Sequence, residues 1–314
     1  MKRFVLLACT SVFALGLVAC GKDASEPASE ASIARQTSDP AKSVEAIASK
    51  LKNNELLEMI QLSVPPAKLD ELRAEFKAKM QEDVPSEEDR GKFSEQVARF
   101  TAPGAEETLY AELEPLLVKF ENEMAAQMPM MIGMGQGFAV QSIQANEDIS
   151  PAEKEQAMEM VSGLATWLQT AKFTDRDLAK KGIAIAVSTA RKMELKTLDE
   201  MRAMEFDQAV GKASIAFGGI KEVLALYGLD VNKSLDSVKA TIVSEANDVA
   251  KVAYSYNFFD KALKSEIELV KVDGRWYGKD SLEQLIQGLA VGEDEVEGDF
   301  IEDEEFVTEE EIAE

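Results

Sequence analysis

The chain of 314 residues carries 58 acidic and 34 basic side chains, a formal net charge of −24, and it has no histidine. Nucleic acid and anionic lipid surfaces are therefore unfavourable partners, because proteins bind both through clustered Lys and Arg. The absence of histidine excludes Ser-His-Asp and Cys-His catalysis and His-ligated metals, so an enzyme with this sequence would use carboxylates, lysine, serine or tyrosine.

The chain begins with the pattern of an export signal. Lys2 and Arg3 precede an apolar run that starts at Phe4 and is too short to span a bilayer comfortably. The run ends in Leu17-Val18-Ala19-Cys20, which resembles the bacterial lipobox. That resemblance implies that residues 1–19 are a lipoprotein signal peptide and that the mature chain begins at a lipid-modified Cys20. The alternatives are an ordinary cleaved signal with a chance cysteine and an uncleaved anchor.

The lipobox resemblance also implies a location in the bacterial cell envelope. Two or three acyl chains on one cysteine anchor a protein essentially permanently, so the expected membrane contact is the lipid on Cys20. In Gram-negative lipoproteins an aspartate after the acylated cysteine commonly marks inner-membrane retention, whereas this chain has Gly21 there. We therefore expect the outer membrane, facing the periplasm. The other cysteine, Cys9, lies in the signal, which leaves the mature body without a disulfide or a free thiol.

Residues 20–42 are poor in large apolar side chains and are predicted to form a disordered tether. Helical spacing of apolar residues then predicts a helical domain over 43–232, with seven to nine helices between Ser43 and Leu229. Capping patterns predict helix starts at Ser150, Thr174 and Thr197. Three further positions are expected to interrupt or end helices: Pro115 as a kink or break, Gly218-Gly219 as a break, and Gly228 as a C-cap.

Alternating apolar residues predict a small antiparallel sheet plus a helix over 233–292. Asn247-Asp248 and Asp273-Gly274 lie where two-residue hairpin turns would join the strands, and a last helix is expected from Asp280 to about Leu289. The run 270–276 resembles the final hairpin of envelope domains with cystatin-like or nuclear-transport-factor-like sheets. The predicted fold class is α+β, mainly α: a multi-helix body, then an antiparallel β-meander and a short helix.

Five methionines lie within eleven residues, and thioether sulfur is a soft ligand suited to Cu(I). The alternative is adaptable core packing or an apolar groove for a partner, because methionine fills irregular gaps. The adjoining Gly133-Met134-Gly135-Gln136-Gly137 has no preceding strand and no P-loop lysine, so we expect a flexible helix break rather than a phosphate loop. The candidate copper ligands are Met124, Met128, Met130, Met131 and Met134.

The last 22 residues, 293–314, contain thirteen acids and no basic residue, a composition typical of a solvated, disordered tail. The spacing of Glu293, Glu295, Glu297 and Glu304, with Gly298 sixth, resembles the twelve-residue EF-hand calcium loop. The EF-hand loop has aspartate at its first ligand position and Asp or Asn at the next two. This chain has glutamate at all three positions, and each glutamate side chain is one methylene longer. The tail is therefore predicted either to bind calcium weakly or to form a solvated acidic segment.

These observations favour a non-enzymatic, lipid-anchored binding or envelope-interaction module without a cofactor. The body is similar to uncharacterised Gram-negative envelope lipoproteins, a resemblance that implies no activity. The expected partner is an unidentified envelope protein or a small apolar ligand, with no nucleic acid. One alternative is a carboxylate-based hydrolase of cell-wall glycans, in which Trp167, Trp276 and Tyr277 would stack on sugar rings. The other is a methionine-based Cu(I) carrier.

Overall fold

The computed structural model describes residue 33 and residues 36–82, 84–147, 149–259 and 261–283. Within these residues, helices occupy most of the chain between residues 40 and 236, a four-stranded antiparallel sheet follows, and residues 279–283 are again helical. The predicted mainly α, α+β fold class is confirmed. In the described part of the chain, no helix is both long and apolar enough to cross a membrane.

The helices are numbered here in chain order. They are α1 (Pro40–Lys52), α2 (Leu56–Ser63), α3 (Pro66–Glu82), α4 (Glu87–Thr101), α5 (Ala105–Glu123), α6 (Met128–Ala145), α7 (Pro151–Thr170), α8 (Arg176–Met193), α9 (Leu198–Arg202), α10 (Phe206–Leu226) and α11 (Val231–Asp236). Ten of them lie between residues 40 and 226, more than the predicted seven to nine. The short helices α2 and α9 account for the difference, because one or two turns carry too little periodicity to be recognised.

Local capping chemistry sets several helix ends as predicted. Ser150 and Glu153 form a reciprocal capping box at the start of α7, and the Thr197 hydroxyl accepts a hydrogen bond from the Glu200 amide at the start of α9. At α8 the prediction is off by one residue, because the Asp175 carboxylate, rather than Thr174, caps the helix. Gly228 ends α10 as expected: its φ is +93°, and paired hydrogen bonds return to the last turn in a Schellman motif.

None of the three predicted positions breaks its helix, and the kink predicted at Pro115 stays a prediction. Pro115 lies inside a continuous α5, which is held to α8 by ion pairs from Arg176 to Glu121 and from Arg191 to Glu106. Gly218-Gly219 lies inside a continuous α10, and Gly133 to Gly137 lie inside a continuous α6. At Gly219 the reason is close packing, since a Cβ there would lie 2.3 Å from the Thr189 Oγ1 of α8.

The sheet is a meander with strand order β1 (Lys239–Ala246), β2 (Val249–Phe258), β3 (Lys261–Val272) and β4 (Arg275–Gly278). The predicted turns at Asn247-Asp248 and Asp273-Gly274 are confirmed. Both residues of each turn have positive φ, between +49° and +79°, as the type I′ turn of a two-residue hairpin requires. The β2–β3 turn, whose first residue is Phe259, was missed because no Asn-Gly or Asp-Gly signal marks it. The predicted final helix is described only through Glu283.

Helix α1 is one of the helices that join the helical body to the sheet. Ala48 and Leu51 of α1 lie in the largest buried cluster, which also contains α7, α10 and sheet residues such as Tyr256. Ala41 and Val44 of the same helix pack on a second cluster around Val252 and Trp276 of the sheet. The helical body and the sheet therefore share a core through α1.

The predicted tether boundary at residue 42 needs correction. Pro40 occupies the first turn of α1, the Asp39 carboxylate caps that helix, and Thr37 is fully buried. The Trp276 amide of β4 donates a 2.9 Å hydrogen bond to the Thr37 carbonyl, so the chain is attached to the sheet edge before α1 begins. Composition alone does not show this attachment, because one buried threonine and one backbone hydrogen bond supply it. Residues 20–32 of the predicted tether lie outside the described part.

The Gly219 contact can be tested by substitution. Gly219→Ala should lower the free energy of unfolding by about 1–3 kcal/mol, because the new methyl group overpacks the α8–α10 interface. Gly91→Ala is the matched control: Gly91 lies in α4, where a Cβ would meet nothing within 4 Å, and alanine there should raise stability by roughly 0.5–1 kcal/mol. Urea unfolding measures both, and equal effects of the two substitutions would contradict the packing at Gly219.

Candidate functional site

The most unusual surface of the described chain lies on α6. Four large apolar side chains on this helix face solvent: Met130 is 63% exposed, Met131 47%, Met134 67% and Phe138 70%. With 100° between successive residues, the four fall within about 100° of one another around the helix. We call these four residues the α6 outer face. Single exposed apolar residues are ordinary, whereas a continuous row of them marks an interaction surface.

The opposite side of α6 packs against the body. Ile143 is 3% exposed and lies in a cluster with Ala157 and Val161 of α7, and Ile132 and Ala139 on the same side are partly buried. Helix α6 makes its main tertiary contact with α7. The helix is therefore apolar on two sides, and only one of them has a partner within the described chain.

The segment that carries the outer face has no charged side chain of its own, although Lys154 of α7 donates a hydrogen bond to the Gln144 carbonyl near the end of α6. The 23 residues from Met124 to Asn146 include no Asp, Glu, Lys or Arg, although 29% of the whole chain is charged. The neighbouring Glu123 and Glu147 bound this stretch on both sides. The methionine pattern did not include Phe138, whereas the long uncharged run in an acidic chain could have marked the whole surface from the sequence.

Glycines flank the outer face without a structural reason inside the chain. A Cβ built on Gly133, Gly135 or Gly137 would meet nothing within 4 Å. Each glycine in a helix interior costs about 1 kcal/mol relative to alanine. The open space beside these positions would allow another backbone to approach α6 closely.

The five predicted copper ligands do not form one cluster around a single point. Met124 follows the last residue of α5 as its C-cap, and Met128, at the start of α6, lies on the side that faces α7. Met130, Met131 and Met134 share the outer face. Copper binding by the five methionines stays a prediction. In the part of the chain that the structure describes, no group of three or more Cys, Asp or Glu side chains is arranged to hold a metal ion.

A cavity of about 230 Å³ lies between α4, α5 and α8. Its wall includes Phe100, Leu109 and Ile183, and the ion pair between Arg99 and Glu112 lies beside it. The cavity is open to solvent, because the Leu116 side chain in its wall is 61% exposed. No sequence pattern predicted it, because its wall combines residues from three helices.

Lys221 of α10 is the only Lys, Arg, Asp or Glu among the buried residues of the described chain. Its Nζ donates hydrogen bonds to the carbonyls of Leu51 and Lys52, both at 2.8 Å, and to Asn232 Oδ1 at 2.7 Å. Burial lowers the pKa of this amine to about 8. All three partners are uncharged oxygens, and two of them end α1, so Lys221 closes the C-terminus of that helix. Its amine is fully used in this structural role.

The aromatic residues considered for sugar stacking are mostly internal. Trp276 is 1% exposed and Tyr277 is 2% exposed, so their ring faces are covered by the protein. Trp167 donates a 2.7 Å hydrogen bond to the Tyr227 carbonyl and packs edge-on against Phe173. Trp276 and Tyr277 are therefore covered by the protein, whereas Trp167 is partly buried.

Two sets of predicted residues lie outside the described part of the chain. They are the lipidation residue Cys20 and the calcium candidates Glu293, Glu295, Glu297 and Glu304. Lipidation and calcium binding therefore stay predictions. Comparison of the chain with protein-family models, with curated proteins and with solved structures finds no significant match.

The role of Lys221 predicts a pH dependence of stability. Its pKa is about 8 when folded and about 10.5 when unfolded, so between these pH values the unfolded chain binds a proton that the folded chain has released. The contribution of Lys221 to the free energy of unfolding should therefore rise with pH across this window, by roughly 1–3 kcal/mol.

The measurement compares wild type with Lys221→Met by urea unfolding at several pH values from 7 to 10.5. Subtracting the free energy of unfolding of the variant at each pH removes the contributions of all other titrating groups. A difference between the two proteins that stays constant with pH would contradict the assignment.

Proposed function

We propose that this protein is a lipid-anchored, non-enzymatic interaction module of the bacterial cell envelope, and that it binds an uncharged apolar helical surface of a protein through the α6 outer face. The observation that carries the proposal is the exposure of Met130, Met131, Met134 and Phe138 on one side of a helix whose other side is already packed. Burying a Met or Phe side chain contributes about 1.5–3 kcal/mol. Because the four side chains are 47–70% exposed, a partner that covers this face would gain a corresponding part of that free energy from each of them.

The chemistry of the partner follows from the charge of the surface. A charged surface would lose hydration against α6 and find no opposite charge on the outer face itself, because residues 124–146 carry none. An uncharged apolar surface has no hydrated charge to lose when it meets α6. The open glycine positions beside the outer face favour a helix, whose backbone can approach where no side chain intervenes.

The prevalence of methionine suits this role. Its unbranched side chain and polarizable sulfur adapt to partner surfaces of different shape, as other methionine-rich binding surfaces do. Three of the four outer-face residues are methionines, and Phe138 adds a rigid apolar ring at one end. The surface is therefore suited to contacts with more than one apolar sequence.

The proposed anchor rests on the lipobox resemblance of residues 17–20. A lipid on Cys20 would hold the protein at the membrane and leave the folded body free to meet envelope proteins. The body is attached to the intervening chain at Thr37, through the hydrogen bond from Trp276 at the edge of the sheet. The segment from the lipid anchor would thus join the body at the edge of the sheet. Helix α6 belongs to the helical part and is a separate element from that edge.

The partner surface can be tested by photo-crosslinking in cells. A benzoylphenylalanine residue at position 138 should give protein adducts of higher mass, because this ring belongs to the proposed contact. The same residue at position 220 is the matched control, since Ile220 is an exposed apolar residue of another helix, α10. Met130→Glu should reduce the adducts at position 138. Equal adduct formation at 138 and 220 would argue against the outer face as a binding surface.

The anchor has its own test. Cys20→Ser should abolish incorporation of radiolabelled palmitate, because the cysteine thiol is the proposed acceptor of the lipid. Cys9→Ser is the matched control and should leave incorporation unchanged, since Cys9 lies within the predicted signal. Equal labelling of wild type and Cys20→Ser would overturn the lipid anchor.

A further inference from the structure

We propose that the partner of the α6 outer face is a second copy of this chain, which docks outer face to outer face about a two-fold axis that passes near Met134. This inference rests on the proposed function, because it names the partner of the same surface. Two properties support it, the charge of the chain and the pattern of side chains on α6, and the area of the exposed face predicts how strong the contact is.

The charge argument concerns where two copies can meet. The chain carries a net charge of −24, so most relative orientations of two copies bring acidic surfaces together. A contact through α6 avoids this repulsion locally, because residues 124–146 are uncharged. It also satisfies the chemistry required of the partner, since the outer face is itself an uncharged apolar helical surface.

The side-chain pattern makes the face self-complementary. Met130, Met134 and Phe138 recur every four residues and form one ridge along the helix. Gly133 and Gly137 recur at the same interval and form an adjacent groove that nothing in the described chain fills. Ridges with four-residue spacing pack into grooves with four-residue spacing when two helices cross. In a two-fold contact, each copy would place its ridge in the glycine groove of the other.

The area of the face predicts the strength of the contact. The four side chains are 47–70% exposed, and each offers on the order of 100 Å² to a partner. The sum is roughly half of the 800 Å² per partner that a standard stable interface buries. We therefore expect weak association in dilute solution and greater occupancy where a shared membrane raises the local concentration.

Cysteine crosslinking in intact cells tests the contact. The sequence has cysteines only at positions 9 and 20, so Met134→Cys introduces a single thiol into the folded body. Near a two-fold axis, this thiol lies beside the equivalent thiol of the second chain, whether the two helices run parallel or antiparallel. A short bismaleimide should then convert at least several-fold more of the Met134→Cys protein than of the wild-type protein into a species of twice the mass.

Two matched variants control the experiment. Ile220→Cys places a thiol on an exposed helical site away from α6 and should crosslink no more than the wild-type protein. Phe138→Glu added to Met134→Cys should abolish the crosslinked dimer, because each copy would bring a charge into the uncharged contact. Position 138 is 70% exposed, so folding of the body should not depend on it; a circular dichroism melt of the purified variant checks this.

Salt provides a second readout. Raising the ionic strength of a membrane suspension from about 0.05 to 0.5 M shortens the Debye length, so it should increase the Met134→Cys dimer by screening the like net charges. A dimer yield equal to that of Ile220→Cys overturns the inference. If the dimer is absent but position 138 still forms photo-adducts with other proteins, the proposed function stands and the second copy is not the partner. If the dimer and the photo-adducts are both absent, the proposed function and the second-copy inference both fail.

Discussion

The packing of α1 is the constraint on which the rest of the structure depends. This helix contributes Ala48 and Leu51 to the largest core cluster and packs Ala41 and Val44 against the sheet cluster. Both of its ends are closed by polar groups, the Asp39 carboxylate at the N-terminus and the Lys221 amine at the C-terminus. A buried lysine costs free energy unless its donors are satisfied, and here three oxygens satisfy them. The sheet is thus attached to the helices partly through α1, which precedes the sheet in sequence, and partly through α7, whose Gln156 donates a hydrogen bond to Tyr256.

The sequence predicted the features that depend on neighbouring residues. The capping box at Ser150 and the Schellman motif at Gly228 are local hydrogen-bond patterns, and the turns at Asn247 and Asp273 depend on residues that tolerate positive φ. The alternation of apolar residues in the strands is equally local. These elements could be predicted because their causes lie within a few residues of one another.

The features that sequence reasoning missed depend on contacts between distant residues. Gly219 is explained by packing instead of by a helix break, because Thr189 of another helix occupies the space that a Cβ would need. Pro115 is tolerated within α5, whose two ends are tied to α8 by ion pairs. Thr37 is held by one hydrogen bond to a strand more than two hundred residues away. The candidate site was predicted in part: methionine composition drew attention to the segment, but only the structure separates Met128, which faces the body, from the exposed Met130.

The position of the α6 outer face separates binding from folding. The residues that hold α6 in place, Ile143 and its neighbours on α7, lie on the opposite side of the helix from Met134 and Phe138. A change on the outer face therefore removes few internal contacts, whereas a change at Ile143 would open the core. Glycine in the adjacent groove lowers the stability of the helix without any gain inside the chain. A helix that is weakened by glycine and leaves large apolar side chains in water is poorly explained by the stability of the isolated body. A second helix in the groove would explain both features. The glycines would let its backbone approach, and the contact would bury the apolar side chains that the folded chain leaves in water.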